Sequence, residues 1–194
     1  MKQNTTTLHA HPAGAVQERW LMHYYALRAA FSMTWVALAL TVGQGVPAIA
    51  ALLLVGYPAW DAFANLVDAR RSGGLHANRT QAVNVAVSLA TMAAVLLALR
   101  DMHLVLGVFG AWAILSGLLQ LGTALRRWKT SGAQWAMILS GAQSALAGAF
   151  FIAQARMPAM PSIANIAGYA GVGAFYFLVS ALWLRFGALR RRAA

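Results

Sequence analysis

Six long apolar stretches, separated by short polar segments, fill most of this 194-residue chain. At a rise of about 1.5 Å per residue, helices of these lengths are roughly 27 to 35 Å long, which matches a hydrocarbon core of about 30 Å. The stretches are too long for barrel strands and lack their alternation of polar and apolar residues. The sequence therefore predicts an all-α, polytopic membrane protein with six transmembrane helices. The spans are expected at about residues 20–42, 47–69, 82–99, 104–125, 135–155 and 163–184.

The composition agrees with a membrane protein. Hydrophobic residues make up 60% of the chain and charged residues only 10%, whereas about a quarter of residues are charged in soluble domains. We expect one transmembrane domain over residues 20–187, a disordered cytoplasmic tail over 1–19 and a basic cytoplasmic tail over 188–194. The chain has no cysteine, which excludes disulfides, thiolate metal sites and a cysteine nucleophile.

Basic residues alternate strongly between successive loops, which predicts the orientation. One side of the predicted bundle has only Arg100 and Arg156. Because Lys and Arg stay cytoplasmic, both termini are expected in the cytoplasm. These loops should contact anionic lipid headgroups, and none is long enough to build a nucleic-acid-reading module. The basic residues of the cytoplasmic side are Lys2, Arg19, Arg70, Arg71, Arg79, Arg126, Arg127, Lys129, Arg185, Arg190, Arg191 and Arg192.

Arg28 is the one basic residue predicted inside a span, and Asp61 lies in the next span. Counted from the cytoplasmic ends, both lie roughly 12 to 13 Å deep. A lone charge at that depth costs at least about 3 kcal/mol. We therefore expect an ion pair between Arg28 and Asp61 across a tight hairpin of the first two helices.

A polar stripe is predicted around this pair. Helical spacing places Asn65 and Asp68 on the same face as Asp61. On the first helix Ser32 lies one turn deeper than Arg28, and His23 and Tyr24 lie at the cytoplasmic boundary. Two interpretations remain open: the pair fixes the register of the hairpin while Asp68 neutralises Arg70 and Arg71, or these groups line a path for protons or a solute.

Small residues predict close helix packing in the last three spans. On the fifth span Ser140, Ser144 and Gly148 recur every four residues beside Gly141. Other small residues that fit close contacts are Gly110 and Gly117 on the fourth span, and Gly168 and Gly173 on the sixth.

Templates for catalysis and cofactor binding fail. The five histidines are scattered over tail, loops and interface, so no metal site with ligand spacing is predicted. The four carboxylates accompany neither a Ser-His-Asp arrangement nor a phosphate-binding glycine loop. We expect neither enzymatic activity nor a cofactor.

The sequence also indicates an internal repeat in which each unit is one helical hairpin. The alignment places Asp61-Ala62, Ser116-Gly117 and Val172-Gly173 at equivalent positions. In each unit a small residue precedes an apolar run that ends in a cytoplasmic Arg. Three hairpins of like direction would be parallel repeats about an axis along the membrane normal.

Three short motifs resemble the HdeD family of bacterial inner-membrane proteins over residues 20–187. They are Leu27-Arg28-Ala29, the Gly-Tyr-x-x-x-Asp stretch from Gly56 to Asp61, and Gly-Ala-Trp-Ala-Ile-Leu-Ser-Gly from Gly110 to Gly117. The resemblance implies a multi-pass inner-membrane protein linked to acid or general stress resistance, without a defined activity. Here Ala29 and Ala62 stand where the family usually has glycine.

Two functions remain open. The first is a non-enzymatic protein of acid or envelope stress that acts through packing or a membrane partner. The second is a small channel or transporter, as a homo-oligomer, that uses Asp61, Asn65 and Asp68 as its path.

Overall fold

The computed structural model describes residues 12–127 and 134–193, and this part of the chain forms six α-helices. The all-helical prediction is confirmed. The helices are α1 (Pro12–Leu40), α2 (Pro47–Arg71), α3 (Arg79–Ala98), α4 (Met102–Arg127), α5 (Gln134–Gln154) and α6 (Ile163–Ala193).

Four of these helices are long and apolar enough to cross a membrane: α2, α3, α4 and α6. The apolar part of α5, Ile138–Gln154, is shorter. Polar residues such as Glu18, Arg19 and Arg28 lie along α1. The protein thus has the helices of a membrane-spanning protein, while the first and fifth spans stay predictions.

Local residue chemistry explains several helix ends. α2 begins at Pro47, where the missing N–H is not needed and the fixed φ suits a first turn. It ends before Gly73 and Gly74, whose φ angles of 95° and 87° belong to the left-handed region that favours glycine. At the start of α4 the Asp101 carboxylate accepts a hydrogen bond of 2.8 Å from the backbone N–H of His103.

The first helix begins earlier than the predicted first span. α1 starts at Pro12, so residues 12–19, expected within a disordered tail, are helical instead. The 31 residues of α6 extend roughly 46 Å, well beyond a bilayer core. Glu18 on the α1 extension pairs with Arg191 on the α6 extension, which gives both segments a partner. His9 and His11 lie outside the described residues.

Helix packing differs from the predicted set of tight hairpins. The close pairs are α2 with α3, α4 with α5, and α1 with α6, whereas α1 with α2 and α5 with α6 touch sparingly. Each helix therefore contacts its chain neighbours, and the first helix closes against the last. A tight hairpin of the first two helices was the wrong expectation.

Bulky side chains explain the loose contact between α1 and α2. The rings of Phe31 and Trp60 stack with centroids 4.3 Å apart, and those of Trp35 and Tyr57 lie 4.8 Å apart. Aromatic rings between two helices keep their backbones separated. Trp35 and Tyr57 continue into a buried core with Phe109 and Trp112 of α4, so the aromatic layer reaches across the bundle.

Candidate functional site

The structure brings Arg28 of α1 and Asp61 of α2 together as an ion pair. The guanidinium Nη2 donates to the carboxylate Oδ1 of Asp61. The two side chains are only 13% and 18% exposed. The pair therefore lies largely in the interior of the bundle. An unpaired charge in such an interior would be strongly unfavourable.

The second carboxylate oxygen of Asp61 is also occupied. Its Oδ2 accepts hydrogen bonds from Asn65 Nδ2 at 2.9 Å and from Ser88 Oγ at 2.8 Å. Asn65 donates in addition to the backbone carbonyl of Asp61, also at 2.9 Å. Side chains from α1, α2 and α3 therefore converge on one carboxylate.

Arg28 has further partners on α1 and α6. Its Nη1 donates to the Tyr24 hydroxyl at 3.1 Å, and its guanidinium carbon lies 4.3 Å from the ring centroid of Phe177. A cation over an aromatic face is favourable, more so away from water. The Nε–H of Arg28 is buried and makes no hydrogen bond within the described part of the chain. The cluster thus keeps one unused donor.

Ser88 links this cluster to the aromatic core. It is 1% exposed, and its Oγ accepts a hydrogen bond of 3.2 Å from the indole Nε1 of Trp112 on α4. Because Ser88 also donates to Asp61, one hydroxyl connects α2, α3 and α4. We call Arg28, Asp61, Asn65, Ser88 and Trp112 the charge cluster.

Ser32 and Tyr57 lie beside the charge cluster rather than in a continuous stripe with it. Their hydroxyl oxygens are 3.4 Å apart, and both residues are buried. A longer hydrogen bond of this kind is weak. The predicted neighbour Ser32 therefore faces Tyr57 and forms a separate small polar contact.

The cytoplasmic members of the predicted path have other partners. Asp68 accepts a hydrogen bond of 3.2 Å from Gln81 Nε2 on α3. The guanidinium of Arg71 lies 4.4 Å from the ring centroid of Trp20, so neutralisation of Arg71 by Asp68 is not what the structure shows. Exposed His23 bonds through Nδ1 to the carbonyl of Arg19 within its own helix.

The proline of α2 lies directly before the charge cluster. Pro58 has no backbone N–H and leaves the carbonyl one turn earlier without its usual helical donor. The adjacent carbonyl of Leu53 accepts a hydrogen bond of 2.8 Å from Trp35 Nε1. An indole from α1 therefore bonds to the α2 backbone in the turn that precedes Pro58.

Glycines on α4 and α5 face each other, which explains the closest helix pair. A Cβ at Gly110 would lie 2.8 Å from the carbonyl oxygen of Gly148, and a Cβ at Gly141 would lie 2.8 Å from that of Gly117. Real Cβ atoms do not approach backbone so closely. The predicted small residues on these helices thus form one continuous contact of two backbones.

The predicted small residues on α6 behave differently. No atom lies within 4 Å of a Cβ built at Gly168, and the nearest to one at Gly173 is the Tyr57 hydroxyl at 3.9 Å. Close packing at Gly168 was therefore a wrong expectation, because α5 and α6 stand apart there. Half-buried Ser140 lies on α5 beside this contact surface.

Ser144 of α5 joins two further helices. Its hydroxyl donates to the carbonyl of Ala113 on α4 at 2.9 Å and lies 2.9 Å from the hydroxyl of Tyr169 on α6. This contact repeats the one between Ser32 and Tyr57. In both cases serine and tyrosine are 25 residues apart.

Sequence reasoning missed Ser88, Trp112 and Phe177, although a signal for Ser88 existed. Ser32, Ser88 and Ser144 are evenly spaced along the chain, one in each predicted repeat unit. An alignment of α1, α3 and α5 on these serines would have identified Ser88 as the counterpart of Ser32 and Ser144. Phe177 gives no such signal, because an aromatic residue in an apolar helix is unremarkable.

The charge cluster can fix helices to one another and can hold a negative charge inside the bundle. Among the described residues, no group of three or more His, Asp or Glu side chains could hold a metal ion. No family model, curated protein or solved structure matches the chain. The function therefore has to be inferred from the geometry of the cluster and from the sequence motifs.

Proposed function

We propose that this chain is a six-span inner-membrane protein of the HdeD type that acts without catalysis in acid or envelope stress resistance. Both termini lie in the cytoplasm, and its basic loops contact anionic headgroups. In this proposal the charge cluster is structural and joins α1, α2, α3 and α4 through one ion pair and two hydrogen bonds between helices.

The satisfied carboxylate of Asp61 is the observation that carries the structural role. Arg28, Asn65 and Ser88 supply donors to both of its oxygens from three helices. A transported proton or solute has to displace one of these partners at each cycle. Such a closed set of contacts favours a fixed joint over an open path.

The spacing of hydroxyl groups supports three like-directed hairpins. Ser32 with Tyr57 and Ser144 with Tyr169 make the same contact in the first and third repeat units, and Ser88 lies midway between the two serines. The close pairs α2 with α3, α4 with α5, and α6 with α1 are likewise equivalent under a shift of one hairpin. Three repeat units around a central axis account for both patterns.

A flux measurement separates the structural role from transport. Protein reconstituted in liposomes is tested for proton flux as wild type, as Asp61→Asn and as the control Asp101→Asn, whose carboxylate caps α4 outside the cluster. We expect all three to match empty liposomes. Proton flux in the wild type that disappears in a folded Asp61→Asn variant would refute the structural proposal.

The stress role needs a cellular measurement. Cells lacking the protein should survive acid exposure less well, and wild type should restore survival. Asp61→Ala should restore it only as far as the variant accumulates in the membrane, because the cluster acts through stability. Full accumulation together with complete loss of survival would contradict this expectation.

A small channel or transporter is the second candidate, and one observation favours it. The buried Nε–H of Arg28 lacks a hydrogen-bond partner among the described residues, and Tyr24 extends the polar contacts toward the cytoplasmic end. A passing solute with an acceptor atom could use both. The flux assay decides between the two candidates.

A further inference from the structure

A groove runs between α5 and α6 on the outer surface of the bundle. It has a volume of about 400 Å³ and is lined by Gln143, Gly168, Gly171, Val172, Phe175 and Tyr176. Nothing lies within 4 Å of a Cβ built at either glycine. The groove therefore exposes helix backbone at a place where another helix can approach closely.

The corresponding gap in the first hairpin is filled by the chain itself. The shift of 112 residues that superimposes Ser144 on Ser32 is one residue longer than the shift that aligns Val172 with Asp61, and it relates Gln143 to Phe31 and Val172 to Trp60. Phe31 and Trp60 stack between α1 and α2 with centroids 4.3 Å apart. At the equivalent place in the third hairpin an amide and a smaller side chain replace the two rings, so the space stays open.

A polar pair at the rim distinguishes this groove from an ordinary lipid-facing surface. The Tyr176 hydroxyl donates to Gln143 Oε1 at 2.5 Å. The amide nitrogen of Gln143 carries two more N–H donors, and these have no hydrogen-bond partner among the described residues. Lipid tails cannot accept a hydrogen bond, so a donor exposed to them is unfavourable.

The proposed topology gives the depth of the pair. Gln143 and Tyr176 both lie about eight residues from the cytoplasmic ends of their spans, or roughly 12 Å deep. Ester and headgroup oxygens lie nearer the interface than this. A second protein surface is therefore the natural source of an acceptor.

We propose that a second copy of this chain covers the groove, so that the protein forms a two-fold dimer through α5 and α6. A two-fold axis along the membrane normal brings identical residues together at equal depth. Each Gln143 amide can then donate to Oε1 of the other copy, because an amide oxygen accepts two hydrogen bonds and Tyr176 uses one. The site is thus self-complementary.

An exposed aromatic side chain at the groove is consistent with a dimer interface there. Phe175, at the rim of the groove, is 62% exposed. Phe63 occupies the equivalent position on α2 and is 55% exposed. Both face outward within about a turn of the same predicted depth, but Phe63 borders a filled gap, so it is a matched control.

Cysteine cross-linking in native membranes tests the dimer, because the natural chain has no cysteine. Phe175→Cys should give a cross-linked dimer with a short thiol reagent, whereas Phe63→Cys should stay monomeric. Adding Gln143→Leu to Phe175→Cys should lower the cross-linked fraction, because loss of one average interhelical hydrogen bond weakens the dimerisation constant by about threefold.

Light scattering in detergent gives a second measurement. Wild type should have the mass of two chains, and Gln143→Leu should shift it toward one. Equal cross-linking at both positions, or a monomeric wild type, would overturn the proposal. Retention of the dimer in Gln143→Leu would overturn the role of the amide.

The dimer rests on the proposed six-span topology, which a separate readout checks. Cysteine at position 175 should resist a membrane-impermeant thiol reagent from either side unless the protein is unfolded. Labelling there would show that the topology is wrong. Protection without cross-linking would show that the topology holds and the dimer does not form.

Discussion

At the scale of single residues, Asp61 is the centre of the candidate site because one carboxylate meets donors from three helices. Removal of either partner of a buried ion pair typically costs about 3–5 kcal/mol. The two partners differ, however. A carboxylate left alone keeps Asn65 and Ser88 and can take up a proton, whereas the guanidinium of Arg28 stays charged.

We therefore expect Asp61→Ala to destabilise the protein more than Arg28→Ala. The double variant should lose less stability than the sum of the single losses, because neither charge is then left unpaired. Unfolding of purified protein in detergent measures all three. Arg191→Ala is the control, since its pair with Glu18 is 55% and 42% exposed and should contribute at most about 1 kcal/mol. Additive losses would refute the coupling.

Ser88→Ala tests the link between the cluster and the aromatic core. The substitution removes a donor to Asp61 and leaves the buried indole N–H of Trp112 without its acceptor, at a cost of about 1–3 kcal/mol. Ser32→Ala is matched to it by position in the repeat but loses only a 3.4 Å contact. Equal losses in the two variants would argue against a special role for Ser88.

The pairing of Arg28 with Asp61 could be predicted from the sequence, but the side chain that contacts Asp68 could not. Helical depth alone paired Arg28 with Asp61, because an unpaired charge in an apolar bundle is so unfavourable. The same reasoning grouped Asp68 with Arg70 and Arg71. Depth does not give the rotation of a helix about its axis, and the rotation decides that Asp68 meets Gln81 instead.

At the scale of helices, glycine has opposite consequences on α5 and α6. A Cβ at Gly148 would lie 2.8 Å from the backbone nitrogen of Ile114, whereas one at Gly168 meets nothing within 4 Å. Similar small residues in sequence thus form a tight contact in one helix and an open groove wall in the other.

We expect Gly148→Ala to reduce the free energy of unfolding by about 1–3 kcal/mol, because α4 and α5 must move apart. Gly168 lines the groove of the proposed dimer, so its substitution is measured in the Gln143→Leu background, where the dimer is weakened. There Gly168→Ala should be neutral or stabilise by up to about 1 kcal/mol, since alanine favours a helix over glycine. Unfolding in detergent at matched protein concentration checks both. In that background, a loss at Gly168 comparable to that at Gly148 would show that another part of the same chain packs on α6.

Small-residue patterns predicted that α4 and α5 pack closely against another helix, but they did not predict which helix is the partner of each. Gly110, Gly117, Gly141 and Gly148 recur on facing sides of two helices that share the tightest contact. Adjacency in sequence suggested that α1 packs on α2. The large rings of Phe31 and Trp60 between them prevent this, and helix length or hydropathy does not reveal such an effect.

At the scale of the whole molecule, the number of spans is the first quantity to measure. Single cysteines at three exposed loop positions distinguish six spans from four: Gln44, Ser72 and Ala159. With six spans, Gln44→Cys and Ala159→Cys react with an impermeant reagent from outside, and Ser72→Cys reacts only from the cytoplasm. If α1 and α5 do not cross, Ala159→Cys reacts on the same side as Ser72→Cys.

The contact between the first and last helices has a consequence for biogenesis. Arg28 leaves the ribosome in α1, Asp61 follows in α2, and the Phe177 ring that covers the guanidinium arrives only in α6. Most of the chain must be synthesised before α1 can meet its closest partner. In the proposed six-span topology, the insertion machinery or Asp61 of α2 has to shelter the Arg28 side chain during that interval. Translation must therefore run almost to its end before the helical domain can close.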